Sequence, residues 1–213
     1  MSPAMMYLLI FVVIGFFLLV LLAPTLLIER KKLNRARQIL INKAWVVQDK
    51  PLNINFPIFD RSRPARLRGV RVKFSSISPD GSIEQECSEY SWLLMMKYRP
   101  LVCLLKTRVS TRVPRLIFMY SSSYMKPTAS DPDVSPVPGI DDPNFFVFSS
   151  SQSVNDAATA TLAKRRLAII GDNQVNVEFA DGELYVLCYG YLESEDVFDS
   201  LQKLTTDLRD AIR

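Results

Sequence analysis

Residues 1–28 contain no Asp, Glu, Lys or Arg, and residues 6–22 are an almost unbroken run of Leu, Ile, Val and Phe. About 20 such residues in a helix match the roughly 30 Å hydrocarbon layer of a bilayer, so the run predicts one retained transmembrane anchor over residues 1–28. A cleaved signal segment would need a basic stretch before the run and a small-residue cleavage site after it. Neither is found, and no Cys follows closely enough to serve as a lipid attachment site. Pro24 falls near the far end, where interfacial water can meet the helical hydrogen bond it removes.

The flanks set an orientation. Arg30, Lys31, Lys32, Arg35 and Arg37 follow the run against a single Glu29, whereas residues 1–4 carry no charged side chain. Basic residues beside a membrane segment stay on the cytoplasmic side. The expected placement is therefore a cell-membrane protein with its N-terminus outside and its soluble domain cytoplasmic. Three scattered cysteines, Cys87, Cys103 and Cys188, do not suggest a disulfide framework, and no Asn-x-Ser/Thr acceptor occurs.

The remaining residues suffice for one globular domain. Residues 29–50 read as a basic juxtamembrane helix, with its pattern continuous over about 26–47, and residues 51–213 as a soluble α+β domain. Val70, Val72 and Phe74 alternate with Arg71 and Lys73, the period of a half-buried strand, and Gly69 suggests a bulge. Pro79, Asp80 and Gly81 signal a turn. A tight turn closing Ser78 on Gly81 would set Lys73 opposite Glu86. Apolar stretches at 92–98, 101–105, 116–120 and 145–148 read as buried strands. Residues 121–143, rich in Ser and Pro, read as a long exposed loop, and residues 155–170 as one or two helices. Val175, Val177 and Phe179, then Asp181-Gly182, then Leu184, Val186 and Cys188 signal a second hairpin. Val197, Leu201, Leu204, Leu208 and Ile212 recur at three- and four-residue spacing behind a Ser194 cap, which predicts an amphipathic C-terminal helix packed on the sheet.

Charge is unevenly distributed. Residues 39–126 hold 15 basic and 6 acidic side chains, and residues 127–213 hold 6 basic and 15 acidic, so the net +4 resides in residues 29–38. A pI near 9 is then no sign of nucleic-acid binding, which needs a basic excess on the folded domain. Two readings of the split are open. Either the halves pack together and neutralise each other, or Arg61, Arg63, Arg66, Arg68, Arg71 and Lys73 form a patch facing anionic lipid headgroups or an acidic protein partner. The candidate contact residues for lipid or partner are Arg30, Lys31, Lys32, Arg35, Arg37, Arg61, Arg63 and Arg66.

Histidine is absent, which removes Ser-His and Cys-His nucleophilic pairs and His-ligated metals. No Cys-x-x-Cys occurs, so zinc-ribbon and thioredoxin-like chemistry is not indicated. No catalytic residue, cofactor or metal is assigned. Ser123-Tyr124-Met125-Lys126 fits a Ser-x-x-Lys pattern, but the Ser-Asp-Asn and Lys-Thr-Gly elements that accompany it in acyl enzymes are missing. The acidic pairs Asp141-Asp142 and Glu195-Asp196 suit a loop beside Pro143 and a helix N-terminus.

The apolar N-terminal run, the Ala44-Trp45 pair, the Phe56-Pro57-Ile58-Phe59 segment before an Arg-rich first strand, Asp142-Pro143 before Phe145, and the closing hairpin and helix together resemble a loose family of short bacterial single-pass membrane proteins with a domain of unknown function. That family's pattern has Gly where this chain has Ala44. The resemblance implies topology rather than an activity. The sequence thus predicts a transmembrane helix followed by a largely antiparallel sheet with a C-terminal helix on it, a pleckstrin-homology-like roll being one special case. Its functional expectation is a membrane-tethered, non-catalytic interaction module, with a membrane-anchored enzyme using carboxylate or Ser/Lys chemistry as the alternative.

Overall fold

The computed structural model describes residues 3–52, 54, 70–90, 101–109, 115–120, 134–137, 145–151, 174–189 and 194–211. The predicted bulge at Gly69, the strand at 92–98 and the helix at 155–170 lie outside these residues.

Helix α1 (Pro3–Asn42) is a single 40-residue helix, about 60 Å long at 1.5 Å per residue. It ends five residues before the sequence pattern suggests, and residues 46–48, expected to be helical, instead form a strand. The stop has a clear cause. Trp45 N–H donates to Leu40 O (3.0 Å) and Ala44 N–H to Ile41 O (3.0 Å), while Ala44 takes φ +60°. This is a Schellman cap, with a left-handed residue just past the helix and an apolar contact bridging it. Leu40 and Trp45, the two side chains flanking the cap, both enter the core.

The sheet has nine strands: β1 (Val46–Gln48), β2 (Val70–Ile77), β3 (Ile83–Tyr90), β4 (Leu101–Arg108), β5 (Leu116–Tyr120), β6 (Ser135–Pro136), β7 (Phe145–Ser149), β8 (Gln174–Ala180) and β9 (Glu183–Tyr189). Their order is β1-β2-β3-β4-β9-β8-β5-β7-β6, and every pair is antiparallel. Among the described residues this order runs open from β1 to β6 rather than closing as a roll.

The first hairpin departs from expectation in register. Ser75, not Lys73, lies opposite Glu86, and Lys73 is the extra residue of a bulge between Val72 and Phe74. The expected turn closes, Gly81 N–H donating to Ser78 O (2.9 Å), but the ladder begins at Ile83, Ser78 N–H donating to Ile83 O (2.9 Å), which leaves a loop of Pro79, Asp80, Gly81 and Ser82. The Asp80 carboxylate holds that wider loop, accepting from Ser78 Oγ (2.5 Å), Ser82 N–H (3.1 Å) and Ser82 Oγ (2.7 Å). The bulge also overturns the expected shared face of Val72 and Phe74. Val72 pairs with Ser88 and Phe74 with Cys87, neighbours that point to opposite sides of the sheet.

The second hairpin matches its sequence signal. Ala180 pairs with Glu183 across Asp181 (φ +54°) and Gly182 (φ +79°), the two positive φ angles of a type I′ turn. Within the expected exposed loop at 121–143, Val134 and Val137 are instead buried on either side of edge strand β6, where Pro136 is tolerated because edge positions need no second hydrogen-bonded neighbour.

Helix α2 (Glu195–Ala211) follows the predicted pattern. Ser194 Oγ accepts from Val197 N–H (3.2 Å), Glu195 and Asp196 occupy the first turn and Arg209 the last. Its buried face is Phe198, Leu201, Leu204, Thr205 and Leu208. Phe198, absent from the predicted stripe, is fully buried and meets the Trp45 ring edge-on at 5.3 Å. One core joins α2, the inner face of the sheet and Ala36, Ile39 and Leu40 of α1. Phe118 anchors its far side between Phe145, stacked at 6.3 Å, and Phe179, edge-on at 6.3 Å.

Candidate membrane-proximal site

Helix α1 has two distinct halves. From Met5 to Ile28 fifteen described large apolar side chains are exposed, among them Leu8 (67%), Phe11 (75%) and Phe16 (69%). Beyond them Ala36, Ile39 and Leu40 are buried and Leu33 packs beside them, a three- and four-residue spacing that turns one stripe of the helix into the domain. Among the described residues, which leave out the side chains at 18, 19 and 21–26, no helix is long and apolar enough to cross a membrane.

The basic residues of α1 divide by side. Arg30, Lys31 and Arg35 are exposed and Lys32 is partly exposed. Among the described residues, the side chains of Arg30, Lys31 and Arg35 form no ion pair or hydrogen bond. Arg37 is committed to the domain: its guanidinium pairs with Asp49 and lies 5.3 Å from the Phe74 ring centre. Lys43, which sequence reasoning did not single out, does the same for α2, pairing with Asp199 at 2.6 Å and lying 5.9 Å from the Phe198 ring centre. Its signal was the i, i+6 step from Arg37 past the helix cap, visible only once the helix end is known. Arg61, Arg63 and Arg66 lie outside the described residues.

Among the described residues, ion pairs join the basic half of the chain to the acidic half: Lys43–Asp199 at 2.6 Å, Lys106–Glu183 at 2.8 Å and Arg115–Glu178 at 2.7 Å. Glu178 is wholly buried, so its pair with Arg115 has little solvent screening. Burial works against the Glu183 charge, but hydrogen bonds from Lys106 and from Tyr185 Oη hold its carboxyl below the usual range. Burial, and then the hydrogen bond to Glu183, pushes the Tyr185 phenol up.

The three cysteines occupy one row of the inner face. Cys87 pairs with Cys103 and Cys103 with Cys188 across β3, β4 and β9, and Cys103 Sγ lies 3.5 Å from Cys87 Sγ. All three are free thiols in the core. The hydrogen bond with Cys87, and then burial, raises the Cys103 thiol well above its usual range. Burial pushes Cys188 up to about 12. Protonated, enclosed thiols are poor nucleophiles and poor metal ligands. Among the described residues no group of three or more Cys, Asp or Glu is placed to hold a metal ion. Glu195 and Asp196 sit on the first turn of α2, and the Ser123–Lys126 and Asp141-Asp142 segments lie outside the described residues.

No family model and no curated protein matches the chain. Among solved structures it is similar to the crystal structure of the mycobacterial trehalose monomycolate transport factor A, TtfA, with 12% identity and a TM-score of 0.49 over 84% of this chain and 93% of that one.

Proposed function

We propose that the chain is a membrane-tethered, non-catalytic interaction module: the segment 1–28, carried from Pro3 onward by α1, crosses the cell membrane once, with the N-terminus outside, and holds the α+β domain at the cytoplasmic face. The observation that carries this reading is the contrast along α1. Fifteen large apolar side chains on its first half are exposed, while one stripe of its second half is built into the core. Leaving that much apolar surface in water opposes folding by roughly 25 cal/mol for every Å² exposed, whereas a bilayer accommodates it on all sides. Residues 1–28 carry no charge and would rise about 42 Å as a helix, enough to cross a roughly 30 Å hydrocarbon layer with tilt. The exposed Arg30, Lys31 and Arg35 then follow on the side that retains basic residues.

A binding role rather than catalysis is favoured by how the reactive groups are used. Glu178, Glu183 and Asp199 are neutralised in ion pairs, Asp80 serves a turn, and the thiols lie in the core. A reporter active only in the cytoplasm, fused after Arg213, tests the placement. It should be active, and activity instead from a reporter that requires export would overturn the orientation.

A further inference from the structure

We propose that Arg30, Lys31 and Arg35 form a collar that binds anionic lipid headgroups, held at a fixed height by the docked half of α1. The proposal rests on the membrane-spanning reading of residues 1–28 and adds a partner to it.

Height comes first. In a helix rising 1.5 Å per residue, Arg30, Lys31 and Arg35 stand about 3, 4.5 and 10.5 Å beyond Ile28, the last residue of the uncharged run. The headgroup layer on each side of a bilayer is about 5–8 Å thick, and flexible Arg and Lys stems can reach back into it.

Direction comes second. Leu33, Ala36 and Leu40 define the stripe that faces the core, and all three cations are exposed. None has an acidic partner among the described residues.

Rigidity comes third. α1 runs unbroken from the apolar half into the core, and Arg37 and Lys43 tie its end to Asp49 and Asp199. With no hinge between anchor and domain, the three cations cannot swing away from the membrane surface independently of the fold. Of the basic residues between 30 and 43, Arg37 and Lys43 thus fasten the domain, and Arg30, Lys31 and Arg35 are left for the bilayer. An acidic protein partner would need the same charges but would not require them to begin at the edge of the apolar run.

The test uses the full chain in phosphatidylcholine bilayers carrying trace spin-labelled phosphatidylglycerol or spin-labelled phosphatidylcholine, and compares how strongly each lipid is held at the protein surface. A basic residue near an anionic surface is worth about 1 kcal/mol, or roughly fivefold. The wild-type chain should therefore prefer phosphatidylglycerol several-fold, and molar salt, with a screening length of about 3 Å, should reduce that preference. The triple variant R30Q/K31Q/R35Q should bring it near parity, while R30K/K31R/R35K should keep it. Circular dichroism of each variant should match wild type, because these side chains do not enter the core. Parity in the wild-type chain, or an undiminished preference in the triple Gln variant, would overturn the collar while leaving the anchor in place. Complete absence of protein-immobilised lipid would overturn the membrane-spanning reading and the collar with it.

Discussion

Ala44 shows how much one backbone angle decides. Its φ of +60° lets Trp45 and Leu40 close the cap on α1, yet an L side chain in that region costs about 1 kcal/mol or more relative to Gly. Ala44→Gly should therefore raise stability by about 1 kcal/mol, read as an increased denaturation midpoint with an unchanged slope. A loss of stability would mean that the cap geometry is wrong. The Ala44-Trp45 pair was visible in the sequence as a likeness, but its role in ending the helix was not, because residues 43–47 carry no Pro or Gly to mark the stop. Asp80 was legible as a turn residue, though its grip on Ser78 and Ser82 was not. The hydrogen bond from the Ser78 hydroxyl, and then those from Ser82, lower its carboxyl from 3.8 to about 2. With a folded-state value below the unfolded one, its contribution is present above about pH 4 and fades as pH falls through 2. Asp80→Asn should therefore remove part of the stability difference between pH 5 and pH 2. An identical pH profile in the variant would contradict the assignment. The cysteine row escaped the sequence because it depends on the register of β3 on β4 and of β4 on β9, the latter pairing Cys103 with a residue far along the chain, Cys188. Its chemistry is predicted to be quiet: the native protein should leave all three thiols unlabelled by a thiol reagent over times in which the unfolded chain labels at all three.

Among the elements, those specified by local rules were readable, as were the apolar strands β4, β5 and β7, whereas register and edge pairing were not. The Asp181-Gly182 hairpin and α2 needed only a turn dipeptide, a Ser cap and a periodic stripe. The first hairpin failed in register because an Asp-stabilised loop and a bulge at Lys73 shift the pairing, and neither leaves a hydrophobic signature. Strand β6 failed because Ser and Pro dominate its composition, while burial of Val134 and Val137 depends on β7. Helix α2 bears the clearest energetic test. Leu204 is 1% exposed, so Leu204→Ala should cost roughly 2–5 kcal/mol. A change below about 0.5 kcal/mol, typical of a surface site, would mean that α2 is not docked. On the opposite face of the sheet, Arg115→Met should cost roughly 3 kcal/mol by leaving Glu178 buried without that partner. Changing both residues to Met should recover much of the loss, and a double variant as unstable as the sum of the two singles would contradict the pairing.

At the scale of the molecule, the charge split of the sequence is explained in part by ion pairs that cross from one half of the chain to the other, so the reading in which the halves neutralise each other has direct support from Lys43, Lys106 and Arg115. The core reaches into the helix that carries the apolar run, through Ala36, Ile39 and Leu40, with Leu33 packed against them. A fragment starting at residue 30 should unfold cooperatively, whereas one starting at Ala44 loses Ala36, Ile39 and Leu40 from the core. For a domain whose stability is typically about 5–15 kcal/mol, that loss should abolish or broaden the transition. In the proposed arrangement α1 is one rod with its first half in lipid and its second half in the fold. A nitroxide placed in turn at positions 8, 12, 16, 28, 34 and 38 of the full chain in bilayers tests it most directly, with the three buried thiols left unlabelled. Positions 8 to 16 should show high accessibility to oxygen and low accessibility to a water-soluble nickel complex, with the reverse at positions 34 and 38. High nickel accessibility throughout positions 8 to 16 would contradict it.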